Sequence, residues 1–384
     1  VITRTVGRAR HEQLVRWRHE LHQIPETAFA EHATSDYVAS VLRDLGFDVT
    51  TGIGGTGVVA SLTRGTSGYA IGLRAELDAL PLTEDTDRRP YASRHPGAMH
   101  ACGHDGHMAM VLGAAAILAE EGGFTGTVRT VFQPAEEPGR GARAMIDDGL
   151  LDDHPLDVIL GIHNIPGLPA GRVHLRPGPV MAGEDDFHIH ITGRGGHASA
   201  PHLLVDPIVV AAQLITALQT VTARNVDPMH HAVVSCTDVR TDGARNAIPG
   251  NVHITGDTRT FDDATSQLVE HRIRHLTDAI CAAHGARGHV TYTREFAPTV
   301  NDPAATAVAA ALGADDLDDA CSPIMASEDF GILARHVPAV FAFLGNGTQP
   351  GHGATPLHSP EYDINDDILE AGVDYYVRLV RGWP

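Results

Sequence analysis

At 384 residues the chain is long enough for two domains, each with its own core. Apolar residues make up 43% and charged residues 20%, the ordinary range for a soluble globular protein, and no apolar run approaches membrane-spanning length. The formal charge is −20 and every basic residue is arginine, which argues against a surface for nucleic-acid phosphates, since such binding needs clustered positive charge.

The N-terminus begins Val-Ile-Thr-Arg without an apolar h-region, so neither a secretory leader nor a membrane helix is expected. Cys102, Cys236, Cys281 and Cys321 are far apart and show no C-x-x-C spacing. They form no disulfide framework, which fits a reducing cytoplasm, and the last three are expected in packing roles. The acidic run Asp315-Asp316-Leu317-Asp318-Asp319 reads as a solvated face.

In chain order, Arg10–His22 is predicted as an amphipathic helix, with Leu14, Val15, Trp17 and Leu21 sharing a face. A second helix spans His32–Leu45 and stops at Gly46. Short β-type runs follow at Phe47–Thr50, Gly57–Leu62 and Tyr69–Leu73, then an apolar helical run at Met108–Leu118. The strand Thr127–Phe132, a helix around Ala142–Ile146 and the strand Val158–His163 continue the alternation. That order indicates an α/β domain with a largely parallel sheet, whose function gathers beyond the strand C-termini.

Near Gly183 the pattern changes. A strand at Phe187–Thr192, a helix at Pro207–Val221, strands at Ala232–Val239 and Asn251–Thr258, a helix at Ser266–His284 and a strand at His289–Arg294 give β-α-β-β-α-β, the ferredoxin-like order. After Ala297 the first style returns, with a helix at Ala304–Leu312, a strand at Ala339–Leu344 and a last helix at Asn365–Arg378. The expected architecture is therefore an α/β domain (1–183 and 298–384) interrupted by an inserted α+β domain (184–297).

The chemistry concentrates in His100-Ala101-Cys102-Gly103-His104-Asp105-Gly106-His107, three histidines, a thiol and a carboxylate on a turn at a helix entrance. A His-rich surface turn would leave the thiol and the flanking glycines unexplained, so a divalent metal is the better reading. Glu136 and Glu137 follow a predicted strand within Gln133-Pro134-Ala135-Glu136-Glu137. Two adjacent carboxyls there can divide labour, one on metal and one as a base with raised pKa. His163 ends the next strand, and His358 lies in a Gly/Pro-rich loop. Each alone reads as structural, and beside the other clusters each becomes a ligand candidate. His188, His190, His230 and His231 show no ligand spacing and are expected on the surface or lining a pocket.

Arg18-His19-Glu20-Leu21-His22 with Pro25-Glu26, Leu73-Arg74-Ala75-Glu76-Leu77-Asp78-Ala79-Leu80-Pro81, HACGHDGH, QPAEE, Gly161-Ile162-His163, GRGGHAS, NAIPG, Ser327-Glu328-Asp329-Phe330 and Leu357-His358-Ser359 occur in this order along nearly the whole chain. Together they resemble the amidohydrolase branch of the aminoacylase/carboxypeptidase family of dinuclear metallohydrolases, near the hippurate hydrolases and indole-acetyl-amino-acid hydrolases. The resemblance implies a catalytic metal domain with an inserted lid or dimerisation domain, hence a homodimer, with a tetramer as the alternative. It implies two divalent ions, zinc, manganese, cobalt or nickel, held by Cys102 as bridge, His104, Glu137, His163 and His358.

It further implies Glu136 as general base and Asp78 as the acid that orients a metal-binding group. Glu76, Asp105 and His107 would support the ligands from behind. In the inserted domain His197 would stabilise the oxyanion. Asn246 and Arg259 would hold the substrate carboxylate, although a structural salt bridge is a serious rival for Arg259. Glu328 and Asp329 would accept hydrogen bonds near the metals. The implied reaction is hydrolysis of an N-acyl amino acid to a carboxylic acid and a free amino acid. An N-acetyl-diaminopimelate-type deacetylase, a carboxypeptidase or dipeptidase, and a non-catalytic metal-binding protein stay open as alternatives.

Overall fold

A computed structural model describes residues 8–85, 89–313 and 316–384. The Val1–Arg4 start and Asp315 of the acidic run lie outside them. The chain divides into two compact units, Val1–Val180 with Thr299–Ser322 and Glu328–Pro384, and Met181–Pro298 with Pro323–Ser327.

The first unit carries a seven-stranded sheet in the order Asp48–Ile53, Gly57–Arg64, Gly126–Gln133, Ala70–Glu76, Val158–Pro166, Ala339–Gly347, Val173–His174. The four strands from Gly126–Gln133 to Ala339–Gly347 run parallel, and the strands outside them pair antiparallel. Ala70–Glu76 and Ala339–Gly347 are buried along their whole length, as parallel strands covered on both faces are, so their sequences are mostly apolar rather than alternating.

The helix His104–Glu121 is buried on nearly every side and packs against Arg8–His22, Leu369–Gly382 and the Ala70–Glu76 strand. An all-round apolar helix has to lie inside a protein. Gly113 permits the close packing: a Cβ there would stand 2.4 Å from Leu14 Cδ2 and 2.7 Å from Val373 Cγ2. This helix begins well before the apolar run Met108–Leu118. Gly103, at φ 91°, makes the turn into it, and the polar first turn conceals the start in sequence. The C-terminal helix differs in the same way. Asn365 caps a 3-10 turn at Asp366–Ile368, and the α-helix proper runs over Leu369–Gly382.

The strand Val173–His174 and the helix Phe330–Ala334 are too short for periodicity to reveal. Asp318, expected on a solvated face, accepts a hydrogen bond from His174 Nδ1 at 2.9 Å.

The second unit is a four-stranded antiparallel sheet in the order Ala232–Thr241, Asn251–Thr260, Gly183–Thr192, Arg287–Phe296. The helices Pro207–Arg224 and Asp263–Ala283 cover one face. Phe187, Ile189, Ile191, Val252 and Ile254 form a core with Leu214, Leu218, Val269 and Ile273. Asp206 and Asp262 cap the two helices by accepting from Ile208 N and Thr265 N. With period-two alternation, Asp186, His188, His190 and Thr192 take the opposite, open face.

All four cysteines are free. No helix of the described residues is long and apolar enough to cross a membrane.

Candidate metal centre

The parallel strands deliver the site from their C-terminal ends. Asp78 follows Ala70–Glu76, Glu136 and Glu137 follow Gly126–Gln133, and His163 lies near the end of Val158–Pro166. Cys102 and His104 flank Gly103 at the start of the buried helix. A Cβ on Gly103 would stand 2.4 Å from Asn164 Nδ2 and 2.7 Å from Tyr362 Oη, so only glycine fits between the two ligand candidates. Of three non-glycine residues with positive φ among the described residues, two are here, Ala135 beside Glu136 and His358 itself. Backbone held in that region is typical of sites whose surroundings over-determine them.

Cys102, His104 and His163 place one donor atom each within 4.8 Å of one another, as do Cys102, Glu137 and His358, and His104, Glu136 and Glu137. Cys102 is common to two of these clusters, and its Sγ lies 3.4 Å from His163 Nε2. His358 Nε2 stands 3.5 Å from Glu137 Oε2, and His104 Nε2 is 3.8 Å from Glu136 Oε2 and 4.0 Å from Glu137 Oε1.

Both imidazoles are oriented from behind by backbone carbonyls. His104 Nδ1 donates to the Asp78 carbonyl at 2.8 Å, and His163 Nδ1 donates to the Asn164 carbonyl at 2.8 Å. Asp78 Oδ2 accepts from Glu137 N at 3.0 Å, so one residue holds His104 through its carbonyl and Glu137 through its carboxylate. His104 Nε2 and Glu137 Oε1 are buried without a hydrogen-bond partner. Buried polar atoms left bare are costly, so their convergence fits a cation between them.

His107 has neither nitrogen to spare. Its Nδ1 donates to Glu76 Oε2 at 2.8 Å and its Nε2 accepts from Asn164 N at 3.0 Å. Glu76 is in turn held by Arg74. Arg74, fully buried, also donates to Gln133 Oε1, Glu328 Oε1 and Asp329 Oδ1. Asp105 faces Arg18 Nε and His22 Nδ1, both at 2.8 Å, and none of the ligand imidazoles. It anchors the helix start; the imidazole acceptors expected of acidic side chains are backbone carbonyls instead. Arg74, Asn164, Tyr362, Arg18 and His22 had no role assigned from sequence. The available signal was an arginine inside a mostly apolar, buried strand, which must find partners.

The charges complete the fit. Burial and the neighbouring Glu328 and Glu137 hold the Glu136 carboxyl well above the usual range. Burial raises Glu137 to about 7 and the Cys102 thiol well above its ordinary value. Burial opposes charge on His104, but Asp78 and the nearby carboxylates outweigh it and raise this imidazole to about 10. Burial and His107 pull His163 down to about 3. A set of acids that cannot all ionise together lacks a positive counter-charge, which divalent metal supplies.

Residues 72–382 match peptidase family M20/M25/M40. This chain is a member of that family. Over 376 residues it is 39% identical to the N-acetyl-L-cysteine deacetylase of Bacillus subtilis, covering 96% of this chain and 88% of that one. It is 39% identical to the hippurate hydrolase of Campylobacter jejuni, covering 94% of each. It is 35% identical to thermostable carboxypeptidase 1 of Saccharolobus solfataricus, covering 94% of this chain and 92% of that one. The solved structure of a dinuclear metal-binding M20 peptidase from Bacillus subtilis superposes with a TM-score of 0.83 at 33% identity, covering 97% of this chain and 98% of that one.

In this M20 hydrolase the remaining expected residues belong to the second unit. His197 is exposed, its Nδ1 accepting from Ser199 Oγ at 2.8 Å. Asn246 accepts from Ala198 N through its backbone carbonyl, closing the small Gly196–His197/Ala247–Ile248 pairing. Arg259 lies 2.6 Å from both Asp257 Oδ2 and Glu184 Oε2, and donates to Ser327 Oγ.

Proposed function

We propose that this M20 amidohydrolase cleaves the amide bond of N-acyl amino acids, releasing a carboxylic acid and a free amino acid. The observation that carries the reading is the pair of bare, buried atoms His104 Nε2 and Glu137 Oε1 with the Glu136 carboxyl beside them. Cys102, His104, Glu137, His163 and His358 would hold two divalent ions. Thiolate, imidazole and carboxylate together suit zinc, manganese, cobalt or nickel. Such ions supply Lewis acidity, making water acidic near neutral pH and polarising a carbonyl.

The chain's own groups do the rest. Glu136 takes a proton from the attacking water and delivers it to the departing amine, a dual use suited to a carboxyl with a raised pKa. Asp78 fixes the orientation of His104 and the backbone at Glu137. His197, with Nδ1 already accepting from Ser199, presents Nε2–H as donor to the oxyanion. Asn246 and Arg259 bind the substrate carboxylate. Glu184 and Asp257 compete for that guanidinium, which makes its contribution small. Residues 184–297 act as lid and dimerisation domain, and unpaired cysteines suit a reducing cytoplasm.

The test is a hydrolysis panel on metal-stripped protein re-supplied with one ion at a time. N-acetyl amino acids, hippurate, N-acetyl-diaminopimelate and dipeptides make up the panel. Release of amine from the N-acyl amino acids first is expected. Preference for dipeptides would favour the carboxypeptidase reading, and no metal-dependent release from any substrate would sink the proposal.

A further inference from the structure

The second unit carries a histidine cluster that the hydrolytic reading does not use. On the open face of its sheet, His253 stands directly opposite His190, and His190 directly opposite His289, so three strands contribute to one row. His188, two positions along from His190, reaches diagonally to His253: its Nε2 lies 3.2 Å from His253 Nδ1. The His190 and His253 rings stack at 4.4 Å and 11°. The His188 and His253 rings stack at 5.3 Å and 15°. His190 is oriented by Asn251, whose Oδ1 accepts from its Nε2 at 2.9 Å. A hollow of about 420 Å³ opens beside His188, bordered by Asp186, Asp257, Thr255 and Thr293.

We propose that His188 Nε2 and His253 Nδ1 chelate a borderline divalent ion, of the nickel, copper or zinc class, on this open sheet face. Metal–imidazole bonds of about 2.0–2.1 Å require two ligand nitrogens to stand about 2.9–3.4 Å apart, from right-angled to tetrahedral geometry. The observed 3.2 Å lies inside that window. Without metal the two nitrogens share one proton in an N–H···N contact. On binding, that proton moves to the remote nitrogen of its own ring, so both rings stay neutral and no proton need be released.

Charge on the face is compatible. Asp186 and Asp257 oppose each other in register at the hollow, and Arg240, opposite His253, is paired with Asp238 at 2.5 Å. The two ligands come from separate strands, Gly183–Thr192 and Asn251–Thr260, so the ion would staple the centre of the sheet. Water completes its coordination.

The experiment is a calorimetric titration of Ni²⁺ into the whole enzyme after its hydrolytic centre has been filled with the ion that supports turnover. Wild type is expected to take up one further molar equivalent. His188→Gln and His253→Gln are each expected to lose that equivalent while amide hydrolysis continues at the wild-type rate, which also reports that the variants fold. His230→Gln, elsewhere on the surface, should retain it. Absence of the extra equivalent in wild type, or its survival in either ligand variant, overturns the proposal.

Discussion

His104 and His163 each commit one ring nitrogen to a backbone carbonyl, so the other nitrogen is aimed before any metal arrives. His188 and His253 have each other, a stacked neighbour and open solvent on one side. The first pair is buried and surrounded by carboxyls that resist ionising together; the second lies on a half-exposed sheet face. Imidazole alone makes a place where metal can bind. Oriented acceptors and excluded water make a place where bound metal does chemistry.

The contrast can be broken experimentally, beginning where the effect is largest. Exhaustive chelation should abolish amide hydrolysis, and re-supply of one ion should restore it; turnover that survives complete metal removal, checked by elemental analysis, would contradict the centre outright. Glu136→Gln is expected to lower kcat by about 10²–10⁴ with metal content unchanged. Loss of metal in that variant would show that Glu136 and Glu137 have exchanged roles. Arg74→Met should destabilise the first unit by about 3–5 kcal/mol in a denaturant titration, because it leaves Glu76, Glu328 and Asp329 without their shared cation. A midpoint equal to wild type would make that network ornamental.

Weaker effects belong to the second unit. His197→Ala should cost on the order of 10²–10³ in kcat with an unchanged melting temperature, and wild-type turnover would remove it from the reaction. Arg259→Met should raise KM by about tenfold, near the lower end of what a hydrogen bond to a charged group contributes. A fall in stability without a change in KM would instead make Arg259 the internal salt bridge its two carboxylates suggest.

How much of this was legible in sequence follows from what each feature depends on. The parallel centre of the main sheet and the ferredoxin-like insert could be read because their strands and helices are long enough to show a period. Cys102, His104 and the Glu136–Glu137 pair stood out as reactive types compressed into short motifs. The start of the helix at His104 was hidden, because its first turn is polar and Gly103 makes the bend. Glu76 shares a strand face with Arg74, but its other partners come from residues 133, 328 and 329, and no local spacing joins those. The histidines of the open sheet face met through strand register. His188 and His190 looked unremarkable until Asn251–Thr260 put His253 opposite His190 and within reach of His188. Register is a tertiary property, and spacing along one strand does not encode it.

The order of strands in the main sheet has a consequence for how the chain is made. Ala339–Gly347 pairs with Val158–Pro166, about 180 residues earlier, and the whole insert is synthesised in between. At roughly 5–20 residues per second, a ribosome would leave the Val158–Pro166 edge unpaired for roughly 10–40 s. The insert, which has its own sheet and core, can fold during that interval. The waiting edge is an apolar strand that any similar strand can join. Crowded expression should therefore trap the chain through this edge, and slower initiation or early chaperone capture should relieve the loss more than any change at the metal ligands.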